Sequence, residues 1–312
     1  MKVLVTGGAG FIGSNLVRLL LAEGHTVHVF DSLASGYRCN LEGLDLAGLT
    51  IGDIRDGSLL DRAMAGAEVV FHLAASVGNA RSIDHPFVDA SMNVMGTLNV
   101  LEGMRRHGLR KIVFSSSAGV FGELKTLPIR EDHPVEPDSP YGATKLGAEK
   151  LCLAYAKLHG IEAVCLRYFN VYGIHQRFDA YGNVIPIFAQ RLIFGQPITI
   201  FGDGEQTRDF INVQDVARAN LAAGVNHGVS GAFNLGSGTA ITINRLVEMI
   251  QAVSGLTTTV NHGSPRKGDV RHSLADISAM DRLLGWKPRV DFVEGLTEYM
   301  GWAKTAFRQS PQ

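Results

Sequence analysis

Residues 6–14 read Thr6-Gly7-Gly8-Ala9-Gly10-Phe11-Ile12-Gly13-Ser14, behind the apolar run Val3-Leu4-Val5 and ahead of a helical pattern over 14–23 that stops at Gly24. Gly8, Gly10 and Gly13 satisfy G-x-G-x-x-G, while Gly7, Gly10 and Gly13 satisfy G-x-x-G-x-x-G. A turn without side chains between a strand and a helix lets backbone N–H groups and the helix N-terminus approach a pyrophosphate. Taken alone, the match describes a tight strand–helix turn equally well. Here a second apolar run, 26–30, ends in Asp31, about 18 residues after Gly13 and near the spacing at which a carboxylate binds the adenosine ribose hydroxyls. That carboxylate would repel a 2′-phosphate, which favours NAD over NADP.

Further apolar runs at 68–73, 111–115 and 163–168 alternate with helical patterns at 89–107 and 141–159. Strands alternating with helices imply right-handed βαβ units and an α/β, Rossmann-type doubly wound parallel sheet. After Tyr168 the rhythm loosens, with helical stretches near 186–194, 213–225 and 243–254. Residues 256–271 read as irregular, and 308–312 as a frayed tail. No linker separates the halves. The expected organisation is therefore an NAD-binding Rossmann domain over 1–170, re-entered near 213–235, and an interleaved smaller α/β substrate lobe over 171–312.

Composition supports an ordinary globular chain. Of 312 residues, 46% are hydrophobic and 19% charged, with 29 Lys plus Arg against 30 Asp plus Glu. Disorder is excluded on this composition, and near-neutral charge gives no reason to expect nucleic acid or an anionic membrane as a partner. Glycine stands out, at 36 residues or about 11.5% against an average near 7%. Cys39, Cys152 and Cys165 form neither a metal-ligand spacing nor a disulfide framework, and no metal is expected. The absence of a signal-peptide pattern and of any apolar run of 18 residues predicts a cytoplasmic protein.

Chemistry-bearing residues gather at the predicted strand ends. Gly52-Asp53-Ile54 and Phe71-His72-Leu73-Ala74-Ala75 follow two strands, where small side chains would let a cofactor pass. Ser115-Ser116-Ser117 closes another. Tyr141 and Lys145, four apart, share a helix face, where a nearby ammonium is expected to lower the tyrosine pKa towards a range useful for proton transfer.

In combination, the glycine turn, Asp31, the serines and Tyr141-x-x-x-Lys145 resemble the extended short-chain dehydrogenase/reductase superfamily, and within it the NAD-dependent nucleotide-sugar epimerases and dehydratases, nearest to UDP-glucose 4-epimerase-like enzymes. The resemblance implies Tyr141 as base, Lys145 on the nicotinamide ribose, and Ser117 on the sugar C4 oxygen. It implies a cofactor set of Gly7, Gly10, Phe11, Ile12, Gly13, Asp31, Ser32, Asp53, Ile54, Leu73, Ala74, Ala75, Asn93, Ser115, Tyr141, Lys145 and Tyr168. Substrate-binding positions carried over are Ser117, Asn170, Asn183, Val184, Thr199, Phe201, Arg208, Arg266 and Asp269, with Ser273 as a gatekeeper. A small residue at Ser273 implies room for 2-acetamido sugars. Dehydratases of the group carry Asp-Glu where this chain has Ala118 and Gly119, which disfavours dehydration. Phe121 stands where the family usually has tyrosine.

The implied activity is a 4-epimerase acting on a UDP-hexose through a transient 4-keto sugar. Epimerisation of another nucleotide sugar such as UDP-glucuronate, a dehydratase or reductase, and a non-catalytic NAD-sensing protein remain open alternatives. Relatives dimerise through two long helices, so the resemblance implies a homodimer; Val94, Leu98, Leu101, Leu151 and Tyr155 would either contact the second copy or face this chain's own sheet.

Overall fold

The run Val3-Leu4-Val5 has no polar side, so it suits a strand covered on both faces. It forms β1 (Lys2–Thr6), followed by α1 (Phe11–Ala22), β2 (Thr26–Asp31), β3 (Gly48–Ile51), α2 (Gly57–Ala63) and β4 (Val69–His72). Next come α3 (Asn79–Asp84), α4 (Pro86–Ala90), a π-helical stretch Ser91–Met95, α5 (Gly96–His107), β5 (Lys111–Ser117), α6 (Pro140–His159) and β6 (Glu162–Tyr168). The remaining elements are β7 (Asn170–Tyr172), α7 (Val184–Ile193), β8 (Ile198–Phe201), β9 (Thr207–Asn212), α8 (Val213–Val225) and β10 (Gly231–Leu235). They end with β11 (Ala240–Thr242), α9 (Ile243–Ser254), β12 (Val260–Gly263), α10 (Ser278–Leu284) and α11 (Phe292–Gln309). The computed structural model describes residues 1–178, 183–265 and 270–309.

Seven strands form one parallel sheet in the order β10-β6-β5-β4-β1-β2-β3. Its strand order reverses between β1 and β4, and the crevice outside their carboxyl ends is where a doubly wound sheet binds ligands. Alternate residues serve opposite layers. Val3 and Val5 face α1 and α8 through Val17, Leu20, Val216 and Ala223, whereas Leu4 faces α2, α5 and α6 through Leu60, Leu101, Met104 and Cys152. α8 covers Val213–Val225 as read from the sequence, and β10 then joins the sheet beside β6.

The rest builds a second apolar cluster, Phe188, Leu246, Ile250, Leu296 and Tyr299, among α7, α9 and α11. It carries a three-stranded sheet β11-β9-β7 and the parallel pair β8–β12. The last strand corrects the irregular reading of 256–271. Its half-exposed Val-Asn-His-Gly segment gives no apolar alternation, and its strand state comes from pairing with β8. Of the two places open to Leu101, a dimer contact and the chain's own sheet, it takes the second, fully buried. Cys152 and Cys165 are buried free thiols, and Cys39 is exposed. Among the described residues, no helix is long and apolar enough to cross a membrane, and no cluster of side chains could hold a metal ion.

Candidate active site at the carboxyl ends of the strands

The glycine turn closes tightly on the end of β4. Gly7 has φ +73°, and a Cβ there would lie 2.7 Å from the Ala74 nitrogen; a Cβ on Gly13 would collide with the Gly7 carbonyl oxygen. α1 begins at Phe11, earlier than its apolar periodicity indicates, because Gly10 takes the N-cap position. No side chain caps Gly10 and the first turn holds no acidic residue, so its N–H groups remain suited to an anion. Asp31 is buried, accepting from Ala9 N at 2.9 Å through Oδ2 and from Leu33 N at 2.8 Å through Oδ1. Each of its oxygens retains a further acceptor site for a hydroxyl. An uncapped helix end, glycines that a Cβ would block, and a carboxylate at the tip of β2 fit a dinucleotide.

The other cofactor positions rim this crevice unevenly. Leu73, Ala74 and Ala75 are half-buried beyond β4, and Ala74 N donates to Thr6 Oγ1 at 3.3 Å. Ser32 is exposed. Asp53 receives Arg55 Nε at 2.9 Å and Nη2 at 2.6 Å, and these bonds hold its carboxyl below the usual range. The Ile54 side chain is in the core, close to Gly96, so only its backbone is left for the rim. Tyr168 ends β6 buried, its hydroxyl donating to Asn220 Oδ1 at 2.9 Å.

Pro137-Asp138-Ser139-Pro140 starts α6 in the usual chemical order, a hydroxyl N-cap followed by proline at the first helical position. Ser139 Oγ accepts from Gly142 N at 3.1 Å. This places Tyr141 and Lys145 on the first turns, facing the serines of β5. Ser117 Oγ accepts from Gly119 N at 3.1 Å and lies beside Tyr141, since a Cβ on Gly119 would be 3.3 Å from Ser117 Oγ and 3.8 Å from the Tyr141 ring. Burial pushes the Tyr141 hydroxyl pKa up, the Ser117 hydroxyl opposes the rise, and the Asp89 carboxylate adds to it. The expected lowering by Lys145 is therefore corrected. Burial sets the direction of the shift, and the Lys145 ammonium lies 4.4 Å from the centre of the Phe114 ring, its own pKa pulled down by burial to about 8.

Asn93 sits in the π-helical stretch, where it ties three segments together. Its Nδ2 donates to Ser76 O at 3.1 Å, to Asp89 Oδ2 at 3.2 Å and to Thr144 Oγ1 at 3.0 Å, while its Oδ1 accepts from Ser76 N at 2.8 Å. Thr144 Oγ1 donates to Asp89 Oδ2, and Tyr141 N donates to Ser82 Oγ at 3.0 Å. Asp89 and Thr144 escaped the sequence reading; only the i, i+3 step from Tyr141 to Thr144 could have suggested the second. Ser115 Oγ donates to His72 O at 3.2 Å, which turns its hydroxyl towards β4.

Asn170 on β7 and Arg208 on β9 belong to paired strands, with Asn170 Nδ2 donating to Asp209 O at 3.3 Å and Arg208 Nη1 to Thr207 O at 2.8 Å. The segment carrying the buried Ser273 is stitched to the same strand, through Thr207 N to Arg271 O at 2.9 Å and Ala275 N to Asp209 Oδ2 at 3.1 Å. Asn183 opens α7 and donates from Nδ2 to Val171 O at 3.4 Å, next to half-buried Val184. Thr199 and Phe201 are exposed on β8. Arg266 and Asp269 lie outside the described residues.

A sheet of this topology, with an uncapped glycine turn at the reversal of its strand order, defines a dinucleotide-binding protein of the extended short-chain dehydrogenase/reductase type. Residues 3–236 match the NAD-dependent epimerase/dehydratase family, and the chain belongs to that family, with NAD as its cofactor. A UDP-glucose 4-epimerase of Mycolicibacterium smegmatis is 40% identical over 96% of this chain and 97% of its own length. The crystal structure of UDP-glucose 4-epimerase with UDP-glucose from Thermotoga maritima superposes with a TM-score of 0.93 at 38% identity, covering 98% of this chain and 100% of that one. The UDP-N-acetylglucosamine 4-epimerase of Methanobrevibacter ruminantium, in complex with UDP-N-acetylmuramic acid, gives a TM-score of 0.92 at 36% identity, covering 96% and 97%.

Proposed function

We propose that this protein is an NAD-dependent 4-epimerase that interconverts UDP-glucose and UDP-galactose. The observation that carries the reading is the juxtaposition of Ser117 and Tyr141 at a turn, Ala118-Gly119, that has no acid or base. A Cβ on Gly119 would lie 3.3 Å from Ser117 Oγ and 3.8 Å from the Tyr141 ring, so a carboxylate there would border the reacting centre. Without one, nothing at that position can expel water, and redox chemistry at C4 alone remains.

The Phe11–Gly13 amides would receive the pyrophosphate, Asp31 the adenosine ribose and Lys145 the nicotinamide ribose. NAD, when bound, would supply a reversible acceptor for the C4 hydride. Ser117 and Tyr141 hold the C4 oxygen. Tyr141 takes its proton as the C4–H bond breaks and gives it back once the 4-keto sugar has presented its other face. Burial raises the Tyr141 pKa, so a nearby cation must favour the phenolate that accepts the C4 hydroxyl proton. Lys145, one turn away with a pKa of about 8, supplies that positive charge at neutral pH.

Asn170, Arg208 and Arg266 would grip the diphosphate, as planar guanidinium forks suit phosphate oxygens. Asn183, Val184, Thr199, Phe201 and Asp269 would hold the uridine. Ser273 is small and buried where a tyrosine would exclude a 2-acetamido group, and UDP-GlcNAc is the further substrate expected. Ser273→Tyr should suppress turnover of UDP-GlcNAc while sparing UDP-glucose; equal loss of both would remove Ser273 from this role. The protein is assigned to the cytoplasm, consistent with its free thiols. The proposal is tested by assaying purified protein with UDP-glucose and no added cofactor: UDP-galactose and releasable NAD are expected, and protein lacking both would be a non-catalytic relative.

A further inference from the structure

The three serines ending β5 point to three different partners. Ser115 bonds to β4 and Ser117 meets Tyr141, but Ser116 takes no part in the reaction as derived above. It is buried, and its Oγ donates to Glu149 Oε2 at 2.7 Å. Glu149 is fully buried on α6, one turn beyond Lys145 and two beyond Tyr141, on the same helix face. Its carboxylate also receives Arg167 Nε at 3.0 Å on Oε2 and Arg167 Nη2 at 2.8 Å on Oε1. Arg167 lies directly across the ladder from Ser116, as Tyr168 does from Ser117. Its Nη1 donates to Glu131 O at 3.0 Å, and its guanidinium rests 4.9 Å from the Phe121 ring centre. Strands β5 and β6 and helix α6 therefore converge on one carboxylate.

We propose that Glu149, clamped by Arg167 and reached by Ser116, is a positioning residue that fixes α6 against β5 and so sets the approach of Tyr141 to Ser117. The two reacting side chains come from different elements. The Ser116–Glu149 bond lies one residue from the first and along the helix face of the second. A buried ion pair is a poor source of stability, because desolvation offsets much of its attraction, but its bidentate geometry is strongly directional. Glu149 and Arg167 thus orient more than they stabilise. This inference rests on the epimerase reading.

The test uses the NAD-loaded enzyme and UDP-glucose. Ser116→Ala deletes one hydroxyl and leaves the ion pair intact; kcat is expected to fall roughly tenfold, with KM, bound NAD and melting temperature close to the unaltered protein. Replacing both charges, Glu149→Met with Arg167→Met, is expected to unfold no earlier, since apolar substitution of a buried pair is commonly neutral or stabilising, yet to lower kcat by roughly a hundredfold. A Ser116→Ala kcat within about twofold of the unaltered enzyme, or a loss carried by KM, overturns the proposal. So does activity that follows melting temperature in both variants. Absence of turnover in the unaltered protein would instead refute the epimerase reading.

Discussion

Lys145 answers two opposed demands. Its ammonium is buried over Phe114, and its pKa falls from 10.5 to about 8. Between about pH 8 and 10.5 the unfolded chain therefore binds a proton that the folded chain does not, so stability rises with pH across that window and the full cost stands below pH 8. Lys145→Met should raise the stability of NAD-free protein at pH 7 by up to about 3 kcal/mol, while abolishing NAD retention and turnover. Thermal melts of NAD-stripped proteins check this, and a less stable variant would contradict it. Tyr141→Phe removes the proton carrier and leaves the ring. Turnover should drop by roughly a thousandfold with bound NAD unchanged, as quantified on released cofactor. Both residues were legible from a four-residue spacing. Their protonation was not, because burial by Phe114 and the nearness of Asp89 come from elements distant in sequence.

At the scale of elements, apolar periodicity located the helices well: α8 and α9 match their expected ranges. It failed where pairing or local geometry decides. β12 is held by its neighbour, and the helix read over 89–107 contains the π-helical stretch that turns Asn93 into its network. The glycine turn was fully legible, and Gly13→Ala should disrupt it, since the new Cβ meets the Gly7 carbonyl. A melting-temperature fall together with loss of co-purifying NAD is expected; intact NAD content would refute that role. The π-helical stretch, α5 and α6 carry the face on which the homodimer implied by the resemblance would form. Val94, Leu98, Leu151 and Tyr155 are half-buried, while Met95 is 53% and Leu158 75% exposed, a cost that a second copy would remove. Met95→Glu with Leu158→Glu should convert a dimer to a monomer in sedimentation, and an unaltered mass would rule this face out.

Across the whole molecule, strand–helix alternation implied a parallel doubly wound sheet, whereas its strand order and the wiring beneath the crevice were invisible. His72 is an example. It is fully buried, with Nδ1 2.7 Å from Thr6 Oγ1 and Nε2 3.0 Å from Thr97 Oγ1. Thr97 donates onward to Asn93 O at 2.6 Å, so His72 must donate through Nε2 and accept from Thr6 through Nδ1, as a neutral ring. Burial lowers its pKa from 6.5 to about 3. As pH falls below 6.5 the unfolded chain gains a proton that the folded chain refuses, so this group removes roughly 1.4 kcal/mol of stability per pH unit. Melting temperature should decline from pH 7 to pH 5, and His72→Gln should flatten the decline; an unchanged slope would contradict the neutral assignment.

The central claim is that one hydride leaves C4 and returns to the same carbon. Its most direct test supplies UDP-glucose deuterated at C4, in ordinary water and without added cofactor, and measures the label in the product by mass spectrometry. UDP-galactose still carrying deuterium at C4 is the predicted result. Product that has exchanged its label with solvent, or no UDP-galactose at all, would contradict it.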